Sequence, residues 1–254
     1  MRAVIMAGGQ GTRLQPLTRR MPKPMLQLLD RPMMEYVVEL LAAHEIRDIT
    51  ITVCYLAAHI RSHFGDGSKW GVRIDYQEEV RPLGTAGGIK PLRAHVGGTF
   101  LVMSGDGLTD FDLTKAISVH QKRRAPVTIL LKQVACPLGY GVVTTDEEGQ
   151  ITQFIEKPKT FIQGKAYWIN TGIYILEPEI LDYVPDDRPF DFGKDLFPML
   201  LKTGVPLYGY AADGYWSDVG TLQQYYQSQI DMLQGKVRIN LPAEVQVPVE
   251  LVQS

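Results

Sequence analysis

Gly8, Gly9 and Gly11 follow an apolar run and lead directly into Thr12 and Arg13; ten residues later Lys23 stands between Pro22 and Pro24. Glycines let backbone N–H groups come close to an anion, and Arg13 and Lys23 add fixed positive charge. Together they describe a polyphosphate cradle at the end of a β-strand. Two common cradles are excluded by spacing. No Gly-Lys-Ser/Thr triplet follows Gly11, as a Walker-type loop requires. Leu14 stands where a dinucleotide fingerprint needs its third glycine.

Two carboxylates could complete such a site. Asp106 lies between Gly105 and Gly107, just after an apolar run at 100–103. Asp218 sits in a Trp-Ser-Asp-Val-Gly segment at 216–220. Mg²⁺ is typically held by one or two carboxylates plus substrate phosphates, so Asp106 and Asp218 suffice if the fold brings them together. Each has a simpler reading: a local turn hydrogen bond for Asp106, and the N-cap of a helix starting near Thr221 for Asp218. A third group combines Glu156, Lys157 and Pro158 with Asn170, Thr171 and Gly172. Glu156 can accept sugar hydroxyls, Asn170 can donate and accept, and Lys157 can meet a phosphate. Lys194 reads as a solvated helix charge.

The five histidines make no catalytic set, and neither a nucleophile elbow nor a His-Glu-x-x-His pattern is present. His59 and His63, four apart on a predicted helix, are expected at the surface.

The elements that must position these residues alternate through the first half. Strands are predicted at 2–6, 49–53, 72–76 and 99–103, with helices after Pro32, at 57–64, at 85–92, and from an Asp112 cap to about 124. Repeated βα units imply a doubly wound, mostly parallel Rossmann-like sheet, with ligands beyond the carboxyl ends of its strands. The loops at 8–13, 83–88 and 105–107 then share one rim. The second half predicts β-strands at 127–131, 140–144, 151–156 and 167–175, an antiparallel insertion walling off a second pocket. Helices at 191–201 and 221–233 flank a last strand at 207–211.

The chain has 254 residues and a formal net charge of −2, which gives no general attraction to nucleic acid or anionic membrane. No apolar stretch approaches the roughly 20 residues of a membrane span. Cys54 and Cys136 form no paired motif, and two structural thiols in a reducing cytoplasm account for them most simply. Oligomeric state is not legible, and a homo-oligomer stays open.

In order along the chain, seven segments resemble the sugar-1-phosphate nucleotidyltransferases, also called NDP-sugar pyrophosphorylases: 7–18, 22–24, 82–87, 104–106, 156–158, 170–172 and 216–220. The resemblance covers roughly residues 1–235, leaving 236–254 as a tail that could begin a hexapeptide-repeat domain. It implies that Arg13 and Lys23 bind the triphosphate and that Asp106 and Asp218 hold a catalytic Mg²⁺. Gly8, Gly9, Gly11, Thr12 and Gly84 would approach the nucleotide, with Gln77 a base contact. Gly141, Glu156, Lys157, Asn170 and Gly172 would bind the sugar phosphate. The segments at 83–87 and 104–112 look most like the mannose-1-phosphate guanylyltransferase branch, which implies GTP and mannose 1-phosphate as substrates.

A phosphate oxygen of the sugar phosphate would attack the α-phosphorus in line, with no protein nucleophile, which agrees with finding none. The base stays open at the residue level. Guanine's adjacent N–H donors suit a carboxylate such as Glu78 or Glu79, whereas uracil or thymine suits an amide such as Gln77. UTP or dTTP with glucose 1-phosphate is therefore an alternative. A glycosyltransferase would usually carry an Asp-x-Asp, which Gly105–Gly107 lacks. A regulatory paralogue would be expected to lose phosphate or metal residues, and all four are present.

Overall fold

The computed structural model describes residues 1–186 and 188–239. Its main sheet has nine strands: β1 (Arg2–Met6), β2 (Asp48–Val53), β3 (Arg73–Glu78), β4 (Phe100–Ser104), β5 (Val127–Val134), β6 (Gly141–Thr145), β7 (Ile151–Glu156), β8 (Tyr167–Leu176) and β9 (Leu207–Ala211). The helices are α1 (Met33–Ala43), α2 (Ala57–Phe64), the single turn α3 (Gly84–Gly87), α4 (Leu113–Arg123), α5 (Phe197–Lys202) and α6 (Leu222–Leu233).

β1 is parallel to both neighbours, Ile5 pairing with Ile51 on β2 and with Met103 on β4. Its alternation feeds two cores. Ala3 and Ile5 join Val37, Val38 and Leu41 of α1 and Ile60 and Phe64 of α2 on one face. Val4 joins Val102, Ala86, Phe192 and Phe197 on the other. Each fully buried aliphatic or aromatic side chain contributes about 1.5–3 kcal/mol, so a strand buried on both faces must read as a continuous apolar run. A third cluster joins Leu14, Leu28 and Met33 to Val219 and Met232 under α6.

The antiparallel strands continue this sheet. β8 pairs antiparallel with β4, β5 and β6, and its register shifts between Asn170 and Tyr174. β9 runs parallel to β5. A two-residue ribbon matters more than its size suggests. Trp216 pairs with Thr109 and Ser217 with Leu108, joining the segment after Asp106 to the segment before Asp218.

Two predicted helices are broken where the sequence gives cause. Residues 85–92 form α3 and a separate 3₁₀ turn, Lys90–Ala94, with Gly87, Gly88 and Pro91 between or within them. Residues 191–201 begin as a π-type turn, Phe192–Leu196, before α5. Of the tail, residues 236–239 pack on the body: Val237 is buried and Arg238 N–H donates to Asp110 Oδ2 at 2.8 Å. The rest of that expected segment, 240–254, lies outside the described residues.

Candidate active site

The loop after β1 is shaped by Gly11, whose φ is +62° and whose added Cβ would lie 2.8 Å from Lys23 Cβ. Only glycine fits this left-handed position under a neighbouring stem. The carbonyl of Gly11 accepts from Thr18 Oγ1 at 2.9 Å. Leu14 is fully buried while Thr12 and Arg13 stay exposed, so the turn is anchored with its polar residues open. Lys23 is buried along its stem. Its Nζ lies 2.6 Å from Asp106 Oδ2 and donates to the Asp218 carbonyl at 2.9 Å. One ammonium thus bridges the two aspartate segments already joined by the ribbon. Gly9, Gly11, Thr12, Arg13, Lys23, Asp106 and Gly220 line a cavity of about 220 Å³ there.

A second cavity of about 230 Å³ continues on the other side of Asp106, lined by Gly8, Gly9, Thr52, Glu79, Gly84, Thr85, Ser104 and Asp191. Met6, Gly9 and Asp106 belong to both, so the two form one groove across the carboxyl ends of β1, β2 and β4. Its far wall is stitched to the segment before α5. Thr85 donates from N–H and Oγ1 to Asp191 Oδ1 at 2.9 and 3.1 Å, and Phe192 N–H donates to Thr85 Oγ1 at 2.9 Å.

Glu79, rather than Gln77, faces this groove. Its Oε2 accepts from Leu83 N–H at 3.0 Å, and an added Cβ on Gly8 would lie 2.9 Å from its Oε1. Burial pushes its carboxyl up from the usual range. Gln77 stays on β3, its Nε2 donating to the Glu78 carbonyl at 3.3 Å, and does not line the groove. The two share strand parity, so alternation alone could not separate them. Glu79 differs because the chain leaves β3 there, with its N–H donating to Val53 O at 2.9 Å.

Asp218 does not cap α6. Thr221 does, its Oγ1 accepting from Gln224 N–H at 3.2 Å. Asp218 Oδ1 instead accepts from Tyr140 Oη at 3.3 Å. Asp106 lines the groove and Asp218 lines the adjoining cavity with Arg13 and Tyr140; two hard carboxylates on the two segments that Lys23 bridges suit Mg²⁺. Among the described residues no three His, Cys, Asp or Glu cluster as metal ligands, so a metal here would rely on these two and on phosphate oxygens.

The expected sugar-side residues gather on β6, β7 and β8, and none of them lines the groove. Gly141 leaves room for Phe154 and Glu156, since its Cβ would lie 2.9 Å from Glu156 Oε2. Exposed Lys157 pairs loosely with Glu156 at 3.5 Å. Asn170 is bonded at both ends: Nδ2 donates to Tyr174 Oη at 3.0 Å and Oδ1 accepts from Gly172 N–H at 2.9 Å. Ser104 links this group to the groove, its Oγ lying 3.4 Å from a Cβ built on Gly172.

Sequence reasoning gave no role to Thr85 and Ser104, although they stand inside the segments 82–87 and 104–106, and it missed Tyr140, Asp191 and Gln224. Tyr140 adjoins Gly141, whereas Asp191 and Gln224 carry no local signal. The histidine reading needs one correction. His59 is exposed, but His63 is half-buried, its Nε2 2.8 Å from the buried Glu35 carboxylate.

A family model described as nucleotidyl transferase matches residues 2–235. A UTP–glucose-1-phosphate uridylyltransferase of Synechocystis is 40% identical, over 98% of this chain and 66% of that protein. A mannose-1-phosphate guanylyltransferase of Mycobacterium tuberculosis is 37% identical, over 92% of this chain and 65% of that protein. The chain thus spans about two thirds of the length of these curated relatives. Among solved structures, a putative glucose-1-phosphate thymidylyltransferase from Bacillus anthracis superposes with a TM-score of 0.83 at 25% identity, covering 96% of this chain and 98% of that one.

Proposed function

This chain belongs to the nucleotidyl transferase family, and from that premise we propose that it transfers a nucleotidyl group from a nucleoside triphosphate to a sugar 1-phosphate, releasing pyrophosphate. The observation that carries the reading is the continuous groove, with Thr12, Arg13 and Lys23 at one end, Glu79 at the other and Asp106 between. The triphosphate would lie in the cradle of Gly9, Gly11, Thr12, Arg13 and Lys23, and Gly8 and Gly84 would flank the nucleoside. Asp106 and Asp218 would hold Mg²⁺, which when bound neutralises phosphate charge and polarises the α-phosphorus.

The chain's own residues do the remainder. Arg13 and Lys23 stabilise negative charge as the pyrophosphate leaves. Residues on β6 to β8, with Ser104, would orient the sugar phosphate so that its oxygen attacks in line. No side chain forms a bond to phosphorus.

For the finer assignment we favour GTP with mannose 1-phosphate. Glu79 on the groove wall supports it, because a carboxylate can accept both the ring N–H and the amino N–H of guanine, whereas uracil and thymine present a donor flanked by carbonyls. The Mycobacterium tuberculosis relative points the same way. UTP with glucose 1-phosphate is the second reading, favoured by the Synechocystis relative. Pyrophosphate release, measured for four NTPs against a panel of sugar 1-phosphates with Mg²⁺, tests both levels. GTP with mannose 1-phosphate should be the fastest pair. UTP with glucose 1-phosphate as the fastest pair would replace the finer assignment, and no release from any pair would refute catalysis.

A further inference from the structure

We infer that Tyr140 and Gln224 are positioning residues that set the rotation of the Asp218 carboxylate, leaving its second oxygen turned toward Gly220 and Arg13 at the edge of the groove. The inference rests on the reading of Asp218 as a metal ligand given above.

The hydrogen-bond directions follow from the donors available. Gly220 N–H can only donate, and it lies 3.1 Å from Gln224 Oε1, so that atom is the amide oxygen. Gln224 Nε2 therefore points the other way and donates to Tyr140 Oη at 2.7 Å. With that oxygen accepting, the single phenol proton is directed to Asp218 Oδ1 at 3.3 Å. Trp216 packs edge-on against the Tyr140 ring at 5.5 Å and is itself held by its indole N–H on the Thr171 carbonyl at 3.0 Å.

The two oxygens of Asp218 thereby become different. Oδ1 takes the tyrosine proton. Oδ2 faces Gly220, where a Cβ would lie 2.7 Å from it and 3.3 Å from both terminal nitrogens of Arg13. Gly220 and Arg13 line the cavity that also holds Lys23 and Asp106, while Asp218, Tyr140 and Gln224 line an adjoining cavity of about 400 Å³ to which Arg13 also belongs. Gln224 has a second task, since Thr221 and Gln224 form a capping pair at the start of α6. The cap of a surface helix is thus tied to the orientation of a site carboxylate.

The test is direct Mn²⁺ binding, read as free Mn²⁺ by EPR in the presence of a non-hydrolysable GTP analogue. Loss of a group that orients a metal ligand weakens metal binding by roughly 10–100-fold. The long 3.3 Å contact sets the expectation for Tyr140→Phe at the low end, about 10-fold. Affinity for the analogue without metal should stay within twofold of wild type, and the unfolding temperature of each variant should be recorded. Gln224→Leu should give a smaller loss of the same kind, and the double variant should lose no more than Tyr140→Phe alone, as expected for residues acting through one path. Wild-type Mn²⁺ affinity in Tyr140→Phe, or multiplied losses in the double variant, would overturn the inference. Asp218→Asn separates the two levels. If it loses Mn²⁺ while Tyr140→Phe does not, only the positioning role is wrong; if it binds Mn²⁺ like wild type, the ligand assignment itself falls, and the inference with it.

Discussion

In the parallel half of the sheet, β1 and β4 are buried as far as Ile5 and Met103 and hand over to loops where Thr12 and Arg13 are exposed and Asp106, paired with Lys23, is only partly covered. In the antiparallel half, the corresponding polar groups are bonded to their own chain. Asn170 uses both ends of its amide on Tyr174 and Gly172, and Glu156 is paired with Lys157. The first arrangement offers a preorganised charge trap. The second must exchange internal bonds for ligand bonds, and such exchanges carry small net free energies. The parallel half should therefore dominate catalysis, and the antiparallel half should tune affinity.

The sharpest way to break that contrast is Asp106→Asn. It removes a carboxylate central to the groove and leaves Lys23 without its closest anion. Turnover should fall by about 10²-fold or more in a folded protein; near-normal pyrophosphate release would refute the assignment. Glu79→Gln should act on choice rather than on rate. Replacing a charged acceptor by an amide should lower the GTP-to-UTP ratio of kcat/KM by about 10-fold, measured by competing the two nucleotides. An unchanged ratio would remove Glu79 from base reading.

Smaller effects are expected on the antiparallel side. Asn170→Ala should raise KM for the sugar phosphate by a few-fold to about 10-fold, with kcat less affected. A loss of kcat as large as that of Asp106→Asn would erase the contrast between the halves.

The smallest effect concerns stability alone. Buried His120 bonds Thr128 Oγ1 at 2.9 Å and Glu177 Oε1 at 3.2 Å, tying α4 to the strands of the antiparallel half. Burial lowers its pKa in the folded chain from the ordinary value of 6.5, even against the opposing pull of Glu177. A lowered folded pKa means the unfolded chain takes the proton first. The contribution is complete above pH 6.5 and is lost as pH falls through the folded pKa. The unfolding temperature should decline on acidification below pH 6.5 in wild type and less steeply in His120→Gln. Parallel curves would show that His120 is not the group responsible.

Legibility in the sequence follows the same division. The glycine turn at 8–13 is legible without tertiary information, because a glycine turn after a buried strand is a local event. Most strands were equally legible from apolar runs and alternation. The helix expected at 85–92 failed because its glycines meet the Phe190 segment instead of continuing a helix; Ala86 and Gly87 both donate to Phe190 O at 2.9 Å. Gln77 and Glu79 could not be told apart by parity, and the bonds that hold Glu79 come from Leu83 and Val53.

By itself, then, the sequence determined the residue set of the proposed phosphate end: strand, glycine turn, Arg13 and Lys23 in a fixed local order. Only the tertiary structure decided what that end faces. Lys23 meets the carbonyl of Asp218 across 195 residues, and Tyr140 meets its carboxylate across 78. Hydrogen bonds over such separations depend on sheet order and on the short ribbon between 108–109 and 216–217. Neither leaves a periodic or compositional mark on the residues it joins, because each is set by packing of whole elements rather than by neighbours in the chain.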